Sequence, residues 1–404
     1  MKYLILLGDG MADLPHPKLG GKTPLDLANK PLIDRFATYG ELGLCDTTPK
    51  GCEPGSDVNN MAILGYDAGN LYTGRSPLEA AAMGYELKDD DVAFRCNLVT
   101  LDGDGLDSVM KSYSAGSITT EEAREVIETV HEKLGGDQGR YGRFTFRPGI
   151  AYRHLMVWHG GRERHDLKPP HNIADRPVKE WFPVDESLRY LMLESRKFLK
   201  EHPVNRKRVA AGKLPANSVW FWGQGKRPRL PEITGQIGMS GAMISAVDLL
   251  RGIGKLAGME VIRVPGSTGE IHTDWDAETL AAIEALKRHD FVFLHQEAPD
   301  EAGHQGNPED KIRTIEYLDS KHLKPIVDFL DQNHPDYRVL ILPDHPTPWA
   351  TKDHIPDPVP YVLYRSGDAR KGGVTPRKYT ERDAAASGIF IPHGKELVPR
   401  MMAG

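Results

Sequence analysis

Five short apolar runs, each closed by a turn signal, constrain this chain more than any other feature. They are Tyr3–Leu7, Met259–Val264, Phe291–Leu294, Arg338–Leu342 and Val359–Tyr364. Around them lie stretches of helical periodicity at Pro31–Tyr39, Val58–Leu64, Ser240–Leu256, Ala277–Arg288 and Asp310–Leu330. Unbroken apolar runs such as Tyr3–Leu7 and Phe291–Leu294 are what strands buried on both faces require, and strands alternating with helices predict a largely parallel sheet covered on both sides. The expectation is an α/β core with helices flanking a mostly parallel sheet.

The middle of the chain does not follow this grammar. From about Arg95 to Arg229 it is richer in arginine, aromatic residues and proline, and His165–Pro177 and Trp220–Pro231 read as loops. A chain of 404 residues also exceeds the size at which a single core stops growing. The sequence therefore predicts a discontinuous core, 1–95 and 230–404, interrupted by a smaller α+β insert at 96–229. Between Arg140 and Arg229 there are 13 arginines and 7 lysines against 8 acidic residues, a net charge of +12, which leaves −18 for the rest of a chain whose total is −6. A basic segment on an acidic frame suits a small anionic substrate closed against metal-binding carboxylates; a solvated basic surface is the plainer alternative.

Several classes are excluded. The overall charge does not favour nucleic acid, and no apolar run approaches the 18 residues of a membrane span, so neither partner is expected. The opening KYLILLGDGM has too short an apolar stretch, and no small-residue cleavage pattern, to be a signal peptide, and reads as the first buried strand. Three cysteines, Cys45, Cys52 and Cys96, are too few and too irregular for a disulfide framework or a thiolate zinc site, which places the protein in the cytoplasm.

Hard or borderline metal ligands follow the predicted strands, at the edge where open α/β sheets bind ligands. Asp9 comes directly after Tyr3–Leu7, between two glycines. Asp300 and His304, four apart after Phe291–Leu294, share a face if one helical turn carries them. Asp344 and His345 follow Arg338–Leu342 in a proline-bounded turn, and His354 lies nine residues beyond His345. In Pro54-Gly55-Ser56-Asp57 a serine stands at the start of a predicted helix, where free backbone N–H groups favour both an alkoxide and a phosphate. Each cluster has a plainer reading: a turn aspartate, a serine N-cap, a surface ion pair, an exposed loop histidine. Together they supply three carboxylates, three imidazoles and a hydroxyl, enough for two divalent cations of borderline N/O preference and an activated serine nucleophile. Two apparent nucleotide motifs fail on spacing. In Gly20-Gly21-Lys22-Thr23 the glycine a P-loop needs upstream is His16, and Arg251–Gly258 precedes a strand instead of following one.

The tracts LLGDGMADLP, GKTPLDLANKP, EPGSDVNNMAILGYD, APDEAGHQG, LPDHPTP and DHIPDPVPY, in this order, resemble the archaeal-type cofactor-independent phosphoglycerate mutases of the alkaline phosphatase superfamily. AFRCNLVT, PHNIADRPV and GQGKRPRLP carry the likeness into the insert. The resemblance implies an alkaline-phosphatase-like core with an inserted cap, and interconversion of 3-phosphoglycerate and 2-phosphoglycerate through a phosphorylated Ser56. It implies that Asp9, Asp344 and His345 hold one cation beside Ser56, and that Asp300, His304 and His354 hold the other. Manganese comes first, with zinc, magnesium or cobalt as alternatives. Arg95, Arg153, His154, His171, Arg227 and Arg229 are the expected contacts to a small phosphorylated substrate. The chain departs from the familiar pattern at Ala68 and Asn172, and its GQGKRP tract leans toward a bacterial branch for which a homoserine kinase role has been proposed. A homoserine kinase-like phosphotransferase, a phosphomonoesterase and a non-catalytic metal-stabilised binding protein are the competing readings.

Overall fold

The computed structural model describes residues 1–368 and 375–403. The chain divides into two compact units, Met1–Tyr72 with Arg229–Gly404, and Thr73–Pro228.

The first unit is built on an eight-stranded sheet. Its strands are β1 (Lys2–Gly8), β2 (Glu41–Cys45), β3 (Gly241–Ile244), β4 (Glu260–Ile262), β5 (Phe291–Gln296), β6 (Tyr337–Leu342), β7 (Val359–Arg365) and β8 (Phe390–Ile391). Their spatial order is β4-β3-β5-β1-β6-β7-β2-β8. From β4 to β6 every pairing is parallel; β7 runs against both of its neighbours. Strand β1 sits between β5 and β6 with Leu4 to Leu7 fully buried, as its unbroken apolar run requires. The register sets Leu7 beside both His295 and Leu342, so β1, β5 and β6 end together at one edge.

Two elements differ from the sequence expectation. Ser240–Leu256 is not one helix: Gly241–Ile244 is strand β3 and the helix begins at Asp248. A four-residue apolar strand running into an amphipathic helix gives no change of period long enough to notice. The long helix expected at Asp310–Leu330 is a single helical run from Pro308 to Asn333, widened to a π-turn at Leu318–Leu323. Pro325 lies two residues beyond Leu323, and its missing N–H removes one α-helical bond at that point.

The second unit is an α+β domain whose antiparallel sheet centres on the eleven-residue strand Val92–Asp102. That strand pairs with Arg153–His159 and with Ser218–Gly225. The latter overlaps Trp220–Pro231, expected as loop; its first four residues are buried, and the loop starts only at Lys226. Helices Thr120–Leu134 and Glu186–Leu199 cover one face through Val126, Ile127, Leu188 and Leu191, packed against Phe94, Cys96 and Phe221. The unit starts at Thr73 rather than at 96, because helix Arg75–Ala82 packs on the strands Val92–Asp102 and Ser218–Gly225. Among the described residues no helix is long and apolar enough to cross a membrane.

Candidate active site

The shared edge of β1, β5 and β6 collects the acidic and imidazole side chains. Asp9 follows β1 with no solvent exposure. Asp300 and His304 lie on helix Ala298–Gln305 just beyond β5, one turn apart as their spacing predicts. Asp344 and His345 follow β6 and are buried; the chain then loops out to His354.

Two clusters of ligand atoms form. In the first, His345 Nε2 lies 3.6 Å from Asp9 Oδ1, 3.4 Å from Asp344 Oδ2 and 3.5 Å from Ser56 Oγ. In the second, Asp300 offers Oδ2 at 3.1 Å from His304 Nε2 and Oδ1 at 3.5 Å from His354 Nε2, with the two Nε2 atoms 3.0 Å apart. The clusters adjoin, since the rings of His345 and His354 stack at 3.8 Å between centroids.

All three histidines are held the same way. Nδ1 of His304 faces Lys352 O at 3.0 Å, Nδ1 of His354 faces Pro54 O at 3.4 Å, and Nδ1 of His345 faces Thr347 Oγ1 at 3.2 Å. A carbonyl oxygen only accepts, so Nδ1 of His304 and of His354 carries a hydrogen and Nε2 is the atom turned to the site, able to donate to Asp300 when protonated and to give a lone pair to a cation when not. Asp9 Oδ1 is buried without a hydrogen-bond partner. Carboxylate oxygens and imidazole Nε2 atoms converging in this way fit divalent cations of the borderline class.

The electrostatics agree. Burial, then the nearby charges of Asp344 and Asp300, push the Asp9 carboxyl well above its ordinary range. Burial opposes ionisation of Asp300 too, yet hydrogen bonds from His304 and His354 hold it well below. His304 is raised to about 9, chiefly by its bond to Asp300. Burial lowers His345. Crowded carboxylates of this kind call for positive charge, from protons or from cations.

Ser56 opens helix Ser56–Ile63, preceded by Gly55 in extended conformation. The next turn of that helix clamps it to the Asp344–His345 turn. Asn60 Nδ2 donates to Asp344 Oδ2 at 2.9 Å, and Asn59 Nδ2 donates to Asp344 O at 2.8 Å. Sequence reasoning passed over both asparagines, although two buried amides on an otherwise apolar helix are a signal in themselves. It also passed over Thr347 and over His295, whose Nε2 lies 2.7 Å from Asp9 Oδ2. Asp9, His295 and Glu297 form a third group with metal-like spacing. The 2.7 Å separation is that of a hydrogen bond, so His295 supports Asp9 as a donor. A tight approach explains Gly10: its φ is +59°, and a Cβ there would lie 2.5 Å from Thr347 Oγ1.

The expected substrate residues are not all brought together. Arg95 stacks on Trp222 at 4.9 Å and pairs with Glu79 at 3.4 Å, and the His171 ring meets the same Trp222 at 5.5 Å. Arg153 pairs across the ladder with Asn97, two residues from Arg95 and therefore on the same face. Burial, together with neighbouring Arg75 and Arg153, lowers the Arg95 guanidinium to about 10 despite Glu79. His154 is not brought together with them. It pairs with Cys96 on the opposite face, is 3 % exposed, and is held neutral by burial, its pKa lowered to about 3. Arg227 is exposed in the loop after Ser218–Gly225, and Arg229 is exposed at the start of the first unit's second segment.

Fold and ligand geometry together define an α/β protein with adjoining carboxylate–imidazole clusters at the strand ends. The sequence profile described as 2,3-bisphosphoglycerate-independent phosphoglycerate mutase matches residues 37–205. Over the whole of both chains the protein is 47 % identical to a probable 2,3-bisphosphoglycerate-independent phosphoglycerate mutase of Geobacter sulfurreducens and 45 % identical to one of Methanothrix thermoacetophila. Among solved structures, a Pyrococcus horikoshii protein matches at 31 % identity with a TM-score of 0.79, covering 99 % of this chain and 96 % of that one. The cofactor-independent phosphoglycerate mutase of Thermoplasma acidophilum matches at 27 % identity and 0.66, covering 100 % and 99 %. The chain belongs to the 2,3-bisphosphoglycerate-independent phosphoglycerate mutase family.

Proposed function

We propose that this protein interconverts 3-phosphoglycerate and 2-phosphoglycerate through a phosphoserine at Ser56. Asp9, Ser56, Asp344 and His345 are the residues to hold one divalent cation, manganese before zinc, magnesium or cobalt, and Asp300, His304 and His354 are those to hold the other. Bound there, the cations supply Lewis-acid stabilisation of the phosphoryl oxygens and lower the pKa of the serine hydroxyl. The observation that supports this best is three imidazoles turning Nε2 toward buried carboxylates, one of them, His345, 3.5 Å from the Ser56 hydroxyl.

Ser56 forms the new P–O bond as the bond from phosphorus to O3 of the substrate breaks. The serine proton is lost and O3 gains one, leaving phosphoserine and glycerate. The reverse transfer to O2 restores the serine. Helix Ser56–Ile63 keeps Oγ in line by its asparagine clamp on Asp344. Arg95, Arg153, His171, Arg227 and Arg229 are proposed to bind the carboxylate and hydroxyls and to retain glycerate between the two transfers, because water reaching the phosphoserine would turn a mutase into a phosphatase. The three free cysteines, two of them buried, suit a reducing cytoplasm.

The test is Ser56→Ala together with phosphate tracing in the native enzyme. The variant is expected to keep its cations and lose turnover, and label from 3-phosphoglycerate is expected in 2-phosphoglycerate. Substantial mutase activity in the variant removes the serine route. Release of label to solvent as the main product makes the enzyme a phosphatase.

A further inference from the structure

We infer that Thr347 couples the two cation-binding clusters through its side-chain hydroxyl. This rests on the reading above, in which Asp344 and His345 serve one cation and Asp300 the other.

Thr347 Oγ1 reaches both clusters: it donates to Asp300 Oδ1 at 2.5 Å and faces His345 Nδ1 at 3.2 Å. A hydroxyl has one hydrogen and two lone pairs, and a carboxylate only accepts. The hydrogen therefore goes to Asp300, and a lone pair of Oγ1 receives Nδ1–H of His345. The relay has one direction, from imidazole to hydroxyl to carboxylate, and it fixes the His345 tautomer that leaves Nε2 bare toward Asp9, Asp344 and Ser56. Charge drawn from His345 at Nε2 makes Nδ1–H a stronger donor. The hydroxyl is then polarised, and its bond to Asp300 tightens. Asp300, pinned by Oδ1, keeps Oδ2 on His304. Whatever one cluster gains from the other, linkage returns.

The hydroxyl is in place before any ligand arrives. Thr347 is fully buried between Pro346 and Pro348, its N–H bonds Ala12 O at 3.2 Å, and its carbonyl accepts from Lys311 Nζ at 2.7 Å. Gly10 lies so close to Oγ1 that a Cβ there would stand 2.5 Å away. Thr347 touches no reacting atom in this scheme. It is a positioning residue.

The experiment measures Mn²⁺ affinity of the full chain by competition with a chromogenic chelator, for the native protein, Thr347→Val and Thr347→Ser. Valine keeps the shape and loses the hydroxyl; serine keeps the hydroxyl. Removing an outer partner of a metal ligand typically weakens affinity about 10–100-fold. Thr347→Val is expected to show that loss for both ions at once, and Thr347→Ser to stay near the native values. If the valine variant binds both ions as the native protein does, or weakens one alone, the coupling is wrong. Should valine prevent folding, Thr347→Ala, which also lacks the hydroxyl, gives the same readout. His345→Asn and Asp300→Asn are the separate controls: if each leaves two ions at native affinity, the two-cation reading itself fails, whatever Thr347 does.

Discussion

Mild acid should destabilise this protein through one histidine far from any chemistry. His154 is 3 % exposed on the inner face of the second unit's sheet, its Nδ1 accepts the Gly149 N–H at 3.0 Å, and its Nε2 has no partner. Burial lowers its pKa from 6.5 to about 3. The unfolded chain therefore binds a proton below pH 6.5 that the folded chain refuses, and stability from this group is complete above 6.5 and falls as pH drops toward 3. At pH 5 the shortfall is about 2 kcal/mol, from 1.36 kcal/mol per pH unit over the interval below the unfolded value. His154→Asn removes the titration while its amide oxygen can still accept from Gly149. The measurement is unfolding free energy by denaturant for both proteins at pH 7.5 and pH 5, followed by tryptophan fluorescence, since Trp158 and Trp220 lie in the same core. Taking the difference between the two proteins cancels every other group that titrates, cation ligands included. The native protein should lose about 2 kcal/mol more than the variant over this range. Equal losses would mean that His154 is protonated in the folded state or reached by water, and the burial argument would be wrong.

Three further outcomes are expected. Lys311→Met should cost about 3–5 kcal/mol in chemical denaturation, because Lys311 Nζ donates to Asp13 Oδ2, Ala12 O and Thr347 O and its loss strands a buried carboxylate; adding Asp13→Asn should recover part of that cost. Gly10→Ala should weaken Mn²⁺ uptake in the chelator competition and lower mutase activity at least tenfold, since the new methyl would meet Asp300 and Thr347 at a φ of +59°. Chelation should lower the melting temperature measured by calorimetry, and readdition of Mn²⁺ should restore it, because an ion held at 100 times its dissociation constant contributes about 2.7 kcal/mol.

What was legible in the sequence was whatever physical chemistry encodes locally. Asp9, Asp300, Asp344 and His345 could be found because each follows an apolar run by a few residues, and strands that end at one sheet edge deliver such residues to one place. Asp300 and His304 needed only the pitch of a helix. Ser56 announced itself through Gly55 and the helix after it. The missed residues depend on what lies across space. Nothing near Thr347 in sequence indicates that Asp300 is its acceptor, and Asn60 meets Asp344 from the far end of the chain. His154 lies in the same motif-like stretch of the insert as Arg153, yet neighbouring residues in a strand point to opposite faces. Strand Gly241–Ile244 merges in sequence with the helix that follows it, and the second half of strand Ser218–Gly225 reads as loop because glycines close it and a proline-rich tract comes next.

The discontinuity of the first unit has a consequence during synthesis. Of the strands in its sheet β1 is made first, but its two hydrogen-bonded neighbours start at Phe291 and Tyr337. At about 5–20 residues per second, the nascent chain carries the apolar stretch Leu4–Leu7 unpaired for roughly a quarter of a minute to a minute. The intervening unit Thr73–Pro228 has its own core and can mature in that interval. Aggregation of the newborn polypeptide should therefore depend more on those first few hydrophobic residues, and on the chaperones that shield them, than on any segment translated later.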